Sequence, residues 1–209
     1  MIYEELTKSI LVFKNLSDDL INDMINLKDK LIKEKSVNLP LDLDGNFAGT
    51  ENRFEVYSDK KLFDKFNEFW FDNIEDLWQT HFLKYVENHS DDSTYATSKA
   101  REHNKTRWKD LFIHLYTKDT VSNNPTHIDF SGLSFTCPLN EEYEGGELYF
   151  PRQNVTYKPK KGEIVIFPGS ITHPHRVNSV TSGNRLVLVG QTLGPPQKFE
   201  LGKMKSKLI

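Results

Sequence analysis

Two short segments in the second half of the chain have the residue types and spacing to hold a metal ion. His127-Ile128-Asp129 sets an imidazole and a carboxylate two positions apart. Residues two apart in a strand project to the same face, so both groups can approach one ion. Imidazole nitrogen and carboxylate oxygen form a mixed donor set that suits a divalent first-row metal, and two histidines with one carboxylate leave further positions open. Thr172-His173-Pro174-His175-Arg176-Val177 offers the second imidazole. His173 and His175 are themselves two apart, so spacing alone admits either. A second H-x-D triplet, His89-Ser90-Asp91, falls where a long helix is expected to end, and the helix dipole with solvent accounts for a histidine there. Context separates the two triplets. Pro125 and Thr126 precede His127, strands follow it, and the second histidine pair comes after another strand and a Pro168-Gly169 turn.

The elements that must position these groups begin with helices. Ile10-Leu11-Val12-Phe13 is a short apolar run, and Ser17-Asp18-Asp19 reads as a helix start. Leu20, Met24, Leu27 and Leu31 then recur at helical spacing, one apolar stripe for packing on a sheet. Residues 36–51 lose that period and contain Pro40, Gly45 and Gly49, so they read as a loop. Arg53 to Tyr57 is predicted as a short strand. Ser58-Asp59 caps a second, longer helix in which Phe63, Phe66, Trp70, Ile74 and Leu77 share a face, a core stripe. Residues 89–107 are polar and long for a connection, which makes them a candidate lid.

From Trp108 the pattern changes to strands. Asp110–Tyr116, Ser131–Pro138, Glu147–Phe150, Asn154–Lys158, Glu163–Phe167, Arg176–Val180 and Arg185–Leu193 are each closed by turn residues. Many short strands without helical interruption indicate a sandwich or barrel. The expected organisation is one domain over 1–209. Residues 1–107 supply helical support and the polar loop, 108–193 the barrel, and 194–209 a tail.

Composition narrows the function classes. The net charge of −3 gives no global positive field for nucleic acid. No apolar run approaches membrane-spanning length, and Met1-Ile2-Tyr3-Glu4-Glu5 lacks the basic start of a signal peptide. The only cysteine, Cys137, excludes an internal disulfide and sits in a strand as a small buried hydrophobe. A cytoplasmic chain is expected; oligomeric state is not encoded in any of these features.

Four segments, in order, resemble the 2-oxoglutarate/Fe(II)-dependent dioxygenases, particularly the prolyl 4-hydroxylase-like group. They are the His127-Ile128-Asp129 triplet, Leu139–Pro151 with its Glu144-Gly145-Gly146-Glu147-Leu148, Lys161–Pro168, and His175–Arg185, which reads His-x-Val-x-x-Val followed by Gly-x-Arg. The resemblance covers roughly residues 110–193. It implies mainly β architecture with flanking helices: a double-stranded β-helix, the cupin-like jelly roll, packed by the N-terminal helices. It implies Fe(II) held by His127, Asp129 and His175, with 2-oxoglutarate and O2 as co-substrates, and leaves His173 as a neighbour that lines the pocket. Arg185 stands where the family places the basic residue that holds the far carboxylate of 2-oxoglutarate, where some prolyl hydroxylases carry Lys. A guanidinium suits that role because it grips a carboxylate with two parallel hydrogen bonds. Tyr116 resembles a family tyrosine that hydrogen-bonds the same carboxylate.

The implied activity is hydroxylation of an amino-acid, peptidyl (including prolyl) or related small substrate, with release of succinate and CO2. The presence of Asp129 at the carboxylate position implies hydroxylation rather than halogenation. A cupin-like metal-binding barrel with a hydrolytic, isomerase or ligand-binding role would keep the three ligands but would have no use for Arg185.

Overall fold

The structure is a computed structural model and describes residues 3–14, 16–34, 52–76, 81, 108–169 and 171–192. His89-Ser90-Asp91, the candidate lid at 89–107, Leu77 and the tail at 194–209 lie outside the described residues.

The chain opens with a hairpin, β1 (Tyr3–Thr7) and β2 (Ile10–Lys14), followed by α1 (Asp18–Lys33). Ser17 caps α1 by accepting the Leu20 N–H at 3.3 Å, and Leu20, Ile21, Met24, Leu27 and Leu31 form its buried stripe. Next come β3 (Arg53–Glu55) and α2 (Lys60–Trp70), in which Asp59 accepts the Leu62 N–H at 3.0 Å. α2 ends in a widened turn over Phe71–Glu75, which still carries Ile74 into the core. Leu62 takes the fully buried place on its face, with Phe63 half-buried beside it.

The strand-rich half contains β4 (Trp108–Thr117), β5 (Asn124–His127), β6 (Leu133–Pro138), β7 (Tyr143–Gly145), β8 (Leu148–Phe150), β9 (Val155–Tyr157), β10 (Glu163–Pro168), β11 (His175–Val177) and β12 (Val180–Thr192). They form two sheets. The larger runs β1-β2-β10-β6-β12-β4-β3, with β7 paired to β12, and the smaller runs β5-β11-β8-β9. From β4 onward the chain passes back and forth between the sheets, which is the winding of a double-stranded β-helix.

Alternation along each strand divides the apolar residues between two cores. On β10, Ile164 and Ile166 pack toward the helices while Val165 and Phe167 enter the barrel. On β12, Leu186 and Leu188 face the helices and Val187 the barrel. The helix-side core is strongly aromatic: Trp70 lies 4.8 Å from Trp108 and 5.3 Å from Phe135, centroid to centroid. Cys137 belongs to this core, fully buried, and burial pushes its thiol pKa up.

Two local features differ from the sequence expectation. The break expected at Ser182-Gly183-Asn184 is not a strand end: β12 runs through it, with an irregular register against β7 and Gly183 at φ +71°. Tyr143–Gly145, outside the expected strands, pairs with β12 as β7. Gly145 permits this closure, because a Cβ there would lie 2.1 Å from the Ser179 carbonyl oxygen.

Candidate metal centre

β5 and β11 pair with His127 opposite His175, so the antiparallel ladder itself brings the two imidazoles together. Their ring centroids are 4.4 Å apart. Asp129 completes the group. Its Oδ1 lies 3.2 Å from His127 Nε2 and its Oδ2 3.6 Å from His175 Nε2. One donor atom from each of the three residues falls within 4.8 Å of the others. Strand alternation does not place Asp129, however, since β5 ends at His127. Irregular backbone turns the carboxylate back, closed by Phe130 at φ +49°, a left-handed conformation rare for an aromatic residue.

The outer ring nitrogens fix the orientation of both imidazoles. His127 Nδ1 is 2.7 Å from the Pro125 carbonyl, and His175 Nδ1 is 3.1 Å from the His173 carbonyl. A carbonyl only accepts, so each Nδ1 carries a hydrogen; Nε2 of each ring is the nitrogen turned to Asp129, and it would offer its lone pair to a metal once any proton it shares with that carboxylate is lost. Burial opposes the charge on Asp129. The contact with His127, the nearby His175 and the Ser134 hydroxyl outweigh it and hold the carboxyl below its usual range. For His127, burial is outweighed by the Asp129 hydrogen bond and the Pro125 carbonyl, and the pKa is raised. For His175, burial prevails and the pKa is lowered. Asn124, which the motifs did not indicate, places its side-chain amide 3.3 Å from His127 Nε2.

His173 faces the other way and does not line the pocket. It is fully buried, with Nε2 2.7 Å from Ser9 Oγ in the β1–β2 turn and Nδ1 2.8 Å from Thr172 Oγ1. The N-terminal hairpin is thereby tied to the backbone whose carbonyl orients His175. Nothing in the sequence linked Ser9 to the centre, because 164 positions separate it from His173.

Behind the three donors the barrel opens into a pocket. Tyr116, Leu148, Phe167, Val177, Arg185 and Val187 are among the residues that line it. Arg185 is fully buried, and none of its three guanidinium nitrogens has a hydrogen-bond partner among the described residues. Its Cζ lies 5.2 Å from the Tyr116 ring and 5.9 Å from that of Tyr143. Gly146 makes room for this side chain: a Cβ there would come within 2.7 Å of Arg185 Cδ. A buried cation with every donor unmatched is costly unless something with opposite charge completes it. A carboxylate is the kind of group that would complete it, through paired N–H···O hydrogen bonds.

The sequence model of the 2OG-Fe(II) oxygenase superfamily matches residues 82–191, just over half of the chain. The chain belongs to that superfamily. A PKHD-type hydroxylase of Crocosphaera subtropica is 47% identical over 64 residues, 29% of this chain and 28% of the relative. Prolyl 3-hydroxylase 3 of Homo sapiens is 35% identical over 68 residues, 30% of this chain and 9% of the relative. Procollagen-lysine,2-oxoglutarate 5-dioxygenase 1 of Gallus gallus is 33% identical over 89 residues, covering 41% and 12%. Each match therefore spans less than a third of the relative's own length. Among solved structures, a Trichoplax adhaerens prolyl hydroxylase bound to a hypoxia inducible factor peptide fragment gives a TM-score of 0.55 at 13% identity, covering 90% of this chain and 84% of that one. A Pseudomonas putida prolyl-4-hydroxylase gives 0.54 at 17% identity, covering 88% and 92%. At these identities the likeness is one of fold, and it matches the jelly roll described above. Fe(II), 2-oxoglutarate and O2 are the cofactors of the superfamily, and the donor set and the unmatched guanidinium of this member fit the first two. No described helix is long and apolar enough to cross a membrane.

Proposed function

We propose that this chain is a 2-oxoglutarate- and Fe(II)-dependent hydroxylase acting on an amino-acid side chain, free or within a peptide, prolyl and lysyl side chains included. The observation that carries the reading is the pairing, within one barrel, of a His–Asp–His cluster with a buried guanidinium that lacks any partner.

In this reading His127 Nε2, one Asp129 oxygen and His175 Nε2 hold the metal on one face. Fe(II) with 2-oxoglutarate and O2 supplies the oxidising power, converting 2-oxoglutarate to succinate and CO2 and delivering one oxygen atom to a substrate C–H bond. The protein contributes geometry and exclusion of water. Pro125 and the His173 carbonyl keep both imidazoles in the ligating tautomer. Arg185 takes the far carboxylate, and apolar walls such as Leu148, Phe167 and Val177 exclude water from the space between. Phe130 and Ile171 are 75% and 66% exposed. They sit on segments that adjoin Asp129 and His173 and are joined by the Ser131 N–H to the Gly169 carbonyl. Exposed apolar surface on these two segments suits contact with a peptide, and the named activities of the relatives and fold neighbours point to the same class. A cytoplasmic setting accords with the single buried cysteine. The alternative, a cupin-like metal binder without oxygen chemistry, leaves Arg185 unexplained.

The test is succinate release by the purified chain with Fe(II), 2-oxoglutarate and air, alone and with panels of proline- and lysine-containing peptides and free amino acids. Metal-dependent succinate, stimulated by one substrate class, is the expected result. No succinate above the metal-free control under any of these conditions would overturn the reading.

A further inference from the structure

Among the described residues, five buried side-chain atoms lack a hydrogen-bond partner: the three guanidinium nitrogens of Arg185, Nε2 of His114 and Oε1 of Gln153. Buried polar atoms are almost always satisfied, so each exception calls for a partner. Four of the five belong to residues that line the pocket behind the metal cluster. Arg185 has been given a role above, and His114 has none.

Register places His114 between the two ends of that pocket. β4 and β12 pair with Tyr116 opposite Arg185, His114 opposite Val187, and Phe112 opposite Val189. The same strand continues to Gln191, which pairs with Ser134, a residue whose hydroxyl helps hold down the Asp129 pKa. Moving along β12 from Arg185 to Gln191 therefore leads toward the metal ligands. His114 is one step along that path, about 7 Å of strand from the Arg185 row. Its ring stacks on Tyr116 at 4.2 Å and 19°, and Tyr116 in turn lies beneath the Arg185 guanidinium. Phe112, Val187 and Val189, which neighbour it in the ladder and line the pocket, are apolar and offer it no acceptor.

Resting on the reading of the site as a 2-oxoglutarate pocket, we propose that His114 is a second anchor for that diacid, its Nε2–H donating a hydrogen bond to a carboxylate oxygen. A diacid with one end on Arg185 and the other at the metal ligands must pass this imidazole. Burial, then the charges of Arg185 and Arg53, push the His114 pKa down to about 4, so the ring is neutral and carries one N–H. A neutral donor adds specificity without a further buried charge to compensate.

The experiment is calorimetric titration of 2-oxoglutarate into the full chain loaded with redox-silent Mn(II), for the parent, His114→Phe and His114→Gln. Phe keeps the ring on Tyr116 but has no donor, whereas Gln restores one. His114→Phe should bind 2-oxoglutarate about tenfold or more weakly, the loss expected for a hydrogen bond to a charged acceptor. His114→Gln should return to within about threefold of the parent, less than 1 kcal/mol away. Mn(II) affinity should be unchanged in all three, which also reports that the barrel is folded. His114→Phe binding within about twofold of the parent would overturn the proposal. Equal weakening by Phe and Gln would overturn it too, because packing rather than a donor would then be responsible. A parent that binds Mn(II) but no 2-oxoglutarate would instead sink the proposed function, and this inference with it.

Discussion

Arg185→Met should stabilise the metal-free protein while abolishing 2-oxoglutarate binding, two effects of opposite sign from one side chain. Taking an ion out of water costs several kcal/mol even after relaxation. Among the described residues the guanidinium finds no hydrogen-bond partner, and its compensation comes from the faces of Tyr116 and Tyr143 at 5.2 and 5.9 Å. Cation–π contacts return about 0.5–2 kcal/mol each, so the unliganded side chain is a net burden of about 1 kcal/mol or more. Methionine fills similar space without the charge. For a chain of this size, each kcal/mol moves the melting temperature by about 2–4 °C. Differential scanning fluorimetry of the apoprotein should therefore show Arg185→Met melting a few degrees higher. Adding 2-oxoglutarate with Mn(II) should raise the melting temperature of the parent and leave the variant unmoved. Losing one partner of a buried charge pair typically costs about 2–5 kcal/mol in binding, a factor of about 30 to several thousand in Kd. If Arg185→Met is destabilised and still binds 2-oxoglutarate, the guanidinium is a packing element and the carboxylate assignment is wrong.

Other expectations follow from the same geometry. Asp129→Ala should remove metal-dependent succinate formation while the far-ultraviolet circular dichroism stays that of the parent; a folded, fully active variant would refute its role as a ligand. Ser9→Ala strands the Nε2 of the fully buried His173, so the apoprotein should lose about 1–3 kcal/mol in urea unfolding; an unchanged midpoint would show that the hairpin tie is idle. For pH dependence, the His114 pKa lies at about 4 in the folded chain, and an unfolded histidine titrates near 6.5. Between those values the unfolded state binds more protons, so stability is complete above about pH 6.5 and falls on acidification toward pH 4. His114→Phe should flatten that slope by up to about 1.4 kcal/mol per pH unit, measured by denaturant unfolding from pH 7 to 4.5.

What could be read from the sequence divides along physical lines. Local periodicity made α1 and its cap at Ser17 legible, because a stripe at Leu20, Met24, Leu27 and Leu31 has only one regular structure that buries it. Period-two alternation likewise makes Arg185 legible as a barrel residue once Leu186 and Leu188 are given to the helix-side core. The H-x-D pair was visible as a donor set, although the reason it converges was not. Asp129 is turned in by irregular backbone at Phe130, and a positive φ on an aromatic residue has no sequence signature. The strand through Gly183 and the pairing of β7 were hidden because the residues that tolerate a bulge are the same ones that make turns. Ser9, Asn124 and His114 were missed for a different reason. Their partners lie on other strands, and single-residue tertiary contacts leave no periodic trace.

The most direct test is where a metal binds. Crystals of the chain grown with Mn(II) or, anaerobically, with Fe(II) should give one strong anomalous peak bonded to His127 Nε2, an Asp129 oxygen and His175 Nε2, each about 2.0–2.3 Å away. Addition of 2-oxoglutarate should bring a carboxylate onto Arg185. A peak on other residues, or a metal stoichiometry unchanged in a variant with His127, Asp129 and His175 all replaced by Ala, would contradict the assignment.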